Sequence, residues 1–219
     1  MPHCEASSVR PDPESTPCRA WYDGNFTIWW LIGALLGLWF TLYKGLGIVV
    51  GLLPPSNGIP VGPVFAMHLV TSILFMCICI FNVFHTPSHG RVYRKVHRLL
   101  GCMAMISGVI SFITGAVAVW WERYTEDLGF SIGITVGGVL QMGCQGYGWY
   151  KIRQGNVGAH KTVMLATFYY SCLIPLWLRI VGIIVGRQDL PFWVQPAALA
   201  VGLVFGQLGI RAALANRIV

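Results

Sequence analysis

Two charged side chains, Lys44 and Arg179, stand inside stretches that are otherwise apolar and long enough to cross a membrane. A charge at that depth costs roughly 2.5–3.5 kcal/mol or more, so it faces a bundle interior or a wet cavity. Carboxylates are as sparse. Beyond residue 27 there are four, Glu122, Glu126, Asp127 and Asp189, and carboxylic-acid chemistry in the bundle has to come from that set. Glu122 stands among Trp120, Trp121 and Tyr124. Desolvation by indole rings favours the neutral form of a carboxylic acid and lets it serve as a proton donor. Aromatic faces attract developing positive charge. Lys44, His68 and Arg179 are then candidates to hold the polar head of a lipophilic substrate, with Glu122 as the acid and Asp127 as the alternative acid. This inventory suits protonation of an alkene or epoxide followed by ring closure.

A second set of residues points elsewhere. His97 and His160 open two spans at matching depth, as Val96-His97-Arg98 and Ala159-His160-Lys161. Neutral imidazoles on two helices can ligate a haem from both faces. Two haems need four ligands in two layers, and the far layer offers only His68, so one haem b between His97 and His160 is the form this alternative takes. No metal site is expected otherwise. Cys77-Ile78-Cys79 is not a metal pair, because positions i and i+2 of a helix diverge. The remaining span cysteines, Cys102, Cys144 and Cys172, read as small apolar packing residues. Cys4 and Cys18 lie in a tail placed in reducing cytosol.

The elements that must position these groups are helices. Six apolar stretches, roughly 28–53, 61–84, 96–120, 129–150, 161–186 and 191–214, each meet the ~20 residues a span requires. Their short connections imply antiparallel neighbours. The expected fold is therefore all-α, a polytopic six-helix transmembrane bundle in one domain, 28–219, behind a flexible polar tail, 1–27, in which no secretory signal is read. Basic residues cluster at 86–98, at 151–161 and at the C-terminal end, which puts both termini in the cytosol. The sequon Asn25-Phe26-Thr27 is then cytosolic and unmodified. By helical rise, Lys44, His68 and Arg179 fall roughly 10–14 Å below the far interface. Gly101, Gly108 and Gly115 form one small-residue stripe and Gly129, Gly133 and Gly137 another. Both are expected to let helices approach closely, with the third and fourth spans at the centre. Pro175 should interrupt the fifth span near Arg179.

Composition agrees. The chain has 219 residues, 55% hydrophobic and 11% charged, against about 25% charged in soluble domains. Its net charge of +7 is accounted for by topology and anionic lipid, with no nucleic-acid partner. No CxxCH, HExxH, Walker or GxSxG pattern occurs, so soluble-type hydrolase, kinase and dinucleotide chemistry has no anchor.

Several motifs occur together: His97-Arg98-Leu99-Leu100-Gly101, then Tyr147–Gly155, then Ala159-His160-Lys161-Thr162-Val163-Met164, then Leu178-Arg179, with His68 upstream. In this order they resemble a family of small predicted membrane proteins, bacterial and fungal, with a four-helix core. The resemblance covers roughly 61–187 and implies a membrane bundle without implying a reaction. More distantly, the chain resembles transmembrane di-haem cytochromes b in its helix-borne histidines. It also resembles the small integral membrane terpene cyclases of fungal meroterpenoid pathways in size and in its tryptophan-rich, acid-tipped helix. The leading expectation is an endomembrane terpene cyclase of secondary metabolism that needs no cofactor and whose partners are a lipophilic substrate and membrane lipid. The alternatives are a b-type haem electron carrier and a non-enzymatic carrier of a lipophilic anion that uses Lys44 and Arg179.

Overall fold

A computed structural model of the chain describes residues 28–53, 61–84, 90–122, 128–184 and 195–215. The described residues are helical, with no strand among them. In chain order, α1 (Ile28–Phe40) runs through a π-helical turn, Thr41–Leu46, into the short α2 (Gly47–Val49). Then come α3 (Pro63–Phe84), α4 (Arg91–Trp120), α5 (Leu128–Arg153) and α6 (Val157–Phe168). A second π-helical turn, Tyr169–Leu173, joins α6 to α7 (Ile174–Ile184), and α8 (Gln195–Ala215) closes the chain.

Four stretches are long and apolar enough to cross a membrane: Leu31–Val49, Pro63–Val83, Arg91–Trp120 and Val157–Leu178. The chain is thus an all-α protein with four candidate spans among its described residues. Helices α5 and α8 have spanning length, 26 and 21 residues, but glycine, glutamine and basic residues dilute their apolar character. The basic segments expected as loops are partly helix. α4 begins at Arg91, with Arg91, Arg94, Lys95 and Arg98 exposed, and α5 runs on to Arg153.

Helix ends follow local chemistry. Gly90 starts α4 with φ of +138°, and Gly51 and Gly155 have φ of +75° and +74°, a region that costs glycine little. At Gly155 the α5 helix ends in a Schellman turn, Asn156 N–H donating to the Lys151 carbonyl at 3.0 Å and Gly155 N–H to Ile152 at 3.0 Å. Asn156 then caps α6, its Oδ1 accepting from Ala159 N–H at 2.9 Å. Three residues reverse the chain, which is why α5 and α6 pack as a tight hairpin. The second π turn sits just before Pro175. Proline offers no N–H to the preceding turn, so the regular ladder fails there and the wider turn absorbs the mismatch.

The most extensive helix interface is α3 against α4. Its basis is a row of small residues on α4. A Cβ at Gly115 would lie 2.8 Å from His68 Nδ1, one at Gly108 3.1 Å from the Phe75 ring, and one at Gly101 3.8 Å from Asn82 Nδ2. Large side chains of α3 therefore lie directly on the α4 backbone. Lipid supplies no hydrophobic drive between helices, so such van der Waals contact is what holds them together. The second expected stripe is corrected. Gly133 and Gly137 are exposed and face open space. In α5 the close approaches are at Gly138, under the Phe112 ring, and at Gly148, 2.8 Å from Met164 Sδ. Spacing by four marks one helix face but does not say which face meets a neighbour, and the central pair is α3 with α4, the second and third helical stretches. One buried cluster joins the elements: Ala34 from α1, Phe75, Met76, Ile78 and Cys79 from α3, Ala104 from α4, Leu165 and Phe168 from α6, Cys172, and Ile210 from α8.

Candidate functional site at the start of α3

Glu122 follows the last residues of α4, where Trp121 N–H and Glu122 N–H both donate to the Val117 carbonyl, at 2.8 and 3.3 Å. This turn brings the carboxylate to the first turn of α3. Its Oε1 accepts from Val64 N–H at 3.4 Å and its Oε2 from Phe65 N–H at 3.2 Å. Those amides have no intrahelical partner, and the positive end of the helix dipole favours an anion there. Gly62 makes room: a Cβ at that position would lie 2.6 Å from the Glu122 carboxyl carbon. Both oxygens accept from backbone amides, so the carboxyl group is turned onto the start of α3.

Phe65 links Glu122 to His68. Its backbone N–H bonds the carboxylate, and its ring stacks on the imidazole with centroids 6.0 Å apart and planes 22° apart. His68 lies 2.8 Å through Nδ1 from the Ser111 carbonyl of α4. A carbonyl only accepts, so Nδ1 carries a proton, and in the neutral ring Nε2 is the acceptor. Ser72 Oγ and Ser111 Oγ bond at 2.6 Å one turn further along. Thr71 and Thr114 hydroxyls donate back to carbonyls of their own helices, Met67 and Ile110, at 2.8 and 2.7 Å. The result is a compact polar cluster, Glu122–His68–Ser111–Ser72, at one end of an apolar hairpin.

The other expected members are placed differently. Trp121 is 85% exposed and lines no interior wall. Trp120 turns toward α5, its indole N–H donating to Thr135 Oγ1 at 2.8 Å. Lys44 lies in the first π turn, beside Gly45, which packs on Ile73 of α3. Ile73 and His68 point to different sides of α3, so the Lys44 turn and the histidine lie on different faces of that helix. Arg179 belongs to α7, and its side chain lies outside what is described, as do Tyr124 and Asp127 altogether. Sequence reasoning missed Gly62, Phe65, Ser72 and Ser111, and it read Gly115 as a packing residue only, without its place under His68. The pairs His68/Ser72 and Ser111/Gly115, each four apart, were visible signals, but only the α3–α4 register sets them face to face.

At the opposite end, His160 Nδ1 lies 2.9 Å from the Gly148 carbonyl, so Nδ1 is the donor in that bond. This bond also ties the start of α6 to the last turns of α5. His97 is half-buried on α4. Among the described residues no group of three or more His, Cys, Asp or Glu is arranged to hold a metal ion. In comparisons with known proteins, no family model, no curated protein and no solved structure matches this chain.

Proposed function

We propose that the chain is an integral membrane enzyme that moves a proton on a lipophilic, isoprenoid-bearing substrate, with ring closure as the outcome. The observation that carries the reading is the joining of Glu122 and His68 through Phe65 at one end of the α3–α4 hairpin. In this reading His68, protonated at Nε2 from water, gives that proton to the substrate oxygen. The C–O bond breaks as the alkene π electrons close the ring, and Nε2 takes back the proton that the cyclised cation loses. Glu122 one turn away supports the imidazolium. The reading thus shifts the proton donor from Glu122 to His68. An imidazolium is a modest acid, sufficient to open an epoxide whose oxygen accepts the proton as the C–O bond breaks. Direct protonation of an alkene demands a stronger one. Epoxide-bearing substrates are therefore favoured. The six-span topology with cytosolic termini and an endomembrane location belongs to the same proposal. It draws on the lengths of α5 and α8 and on the basic residues at the starts of α4 and α6.

Glu122→Gln removes the charge that supports the imidazolium and should lower turnover of a prenylated epoxide by about 10-fold or more, as one pKa unit of lost support implies. Its cost in stability should be no more than about 1 kcal/mol, because an amide oxygen still caps the helix. Turnover equal to wild type, measured by mass spectrometry of products, would sink the assignment.

A second reading has a specific observation in its favour. The Nδ1 bond of His160 to a carbonyl is the arrangement that orients an imidazole for a metal at Nε2. In a b-type haem protein, His160→Ala would remove the haem bands from a reduced-minus-oxidised spectrum. A colourless wild-type protein from haem-replete cells would dismiss this reading.

A further inference from the structure

The middle of the bundle holds a polar group that neither reading uses. Gln145 of α5 is 2% exposed. Its Oε1 and its Nε2 both lack a hydrogen-bond partner among the described residues. The amide is aimed at the α4 backbone: a Cβ at Gly108 would lie 2.5 Å from Gln145 Nε2 and 3.2 Å from Gln141 Nε2. Two glutamines, one turn apart on α5, thus converge on Gly108, where the missing side chain lets both amides reach the α4 backbone. The surroundings are otherwise sealed. Phe75 closes the α3 side. Ser107 is buried and spends its hydroxyl on the Ala104 carbonyl at 3.1 Å.

A primary amide brings two donors and one acceptor. Leaving all of them unmet in an apolar interior is among the most unfavourable things a fold can do, and native structures avoid it or fill the site. A structural glutamine would bond a helix carbonyl or a neighbouring hydroxyl. Here the hydroxyl of Ser107, next to Gly108, is already engaged with its own helix, and lipid offers nothing.

We infer that Gln145 anchors an internal site, between α4 and α5 at Gly108, for a small uncharged group able both to accept and to donate a hydrogen bond. That group is a water molecule or the hydroxyl end of a lipophilic ligand. A charge is disfavoured, because among the described residues no ionised side chain stands at this level to offset it. The inference is independent of the Glu122–His68 proposal, which concerns one end of the hairpin.

The test begins with infrared spectroscopy of the full-length protein carrying 13C-labelled glutamine, in H2O and in D2O. The side-chain carbonyl band that resists deuterium exchange belongs to the buried amide. It should lie at the frequency of a hydrogen-bonded amide. A band at the higher frequency of an unbonded amide would overturn the inference, and this reading does not depend on any variant folding. The second arm is Gln145→Met, close in shape but without polar atoms. Removal of a satisfied amide should lower the melting temperature by about 2–4 °C or more. An unchanged or higher melting temperature also overturns the inference, since loss of an unsatisfied amide is neutral or stabilising. Solvent extracts then separate the two sources. A hydroxyl-bearing lipophile near one per protein, present in wild type and absent in Gln145→Met, assigns the ligand. A bonded band with no such lipophile assigns water. Both support the site.

Discussion

In a Gly115→Ala variant, His68 is expected to lose its hydrogen bond to Ser111. The added methyl group would sit 2.8 Å from Nδ1 and 2.9 Å from Cε1 of the imidazole, well inside contact distance. The ring cannot retreat easily, because Phe65 is stacked against it and Phe65 is itself buried. Overpacking of this kind costs about 1–3 kcal/mol, and breaking the bond to the Ser111 carbonyl adds about 1 kcal/mol. Because the ring also carries the proposed proton transfer, turnover should fall along with stability. The decisive measurement is a double-mutant cycle by thermal unfolding. Gly115→Ala combined with His68→Ala should be less destabilising than the sum of the two single changes, because the methyl then has somewhere to go. Simple additivity would mean that position 115 acts through something other than the histidine.

The second large effect concerns the attachment of α8. This helix touches the rest of the bundle thinly; beside Ile210 in the core and the bond of Gln207 to the Tyr170 hydroxyl, one anchor is Tyr169 in the second π turn. The phenol donates to the Gly202 carbonyl at 2.7 Å, and the ring lies so close to Gly206 that a Cβ there would come 2.5 Å from Cδ1 and 2.6 Å from Cζ. Gly206→Ala is therefore expected to push the ring off α8 and break the bond to Gly202 together, a loss of about 2–4 kcal/mol when overpacking and the hydrogen bond are combined. Tyr169→Phe removes only the hydroxyl and should cost about 1 kcal/mol. The ordering of the two variants is the test. Backbone amides of α8 should exchange with deuterium much faster in Gly206→Ala than in Tyr169→Phe. Equal exchange in both would show that α8 is held by contacts other than this ring.

How much of this was legible beforehand depends on the kind of contact. The helix ends at Gly51, Gly90, Gly155 and Asn156 are local events, and glycine and asparagine at those positions announce them. The Gly101/Gly108/Gly115 row was also readable, since heptad spacing puts three small residues on one face. The reading of Gly133 and Gly137 failed because spacing says nothing about the neighbour. The site divided in the same way. Glu122 and His68 stood out, being scarce and out of place. Their roles did not follow from the sequence, because a carboxylate near tryptophans on paper is, in the fold, a carboxylate on the amides of Val64 and Phe65.

Composition and hydropathy alone picked out apolar stretches of membrane-spanning length, and in lipid such a stretch satisfies its backbone most directly as a helix. They also determined which polar residues needed explaining. Partnership was decided by tertiary structure alone. The register of α3 on α4 turned His68 toward Ser111 and folded Glu122 over the start of α3, and the packing of α5 on α4 left the Gln145 amide facing Gly108. Register comes from side chains about forty or more positions apart meeting within a few ångströms, and no local pattern in the chain encodes that meeting.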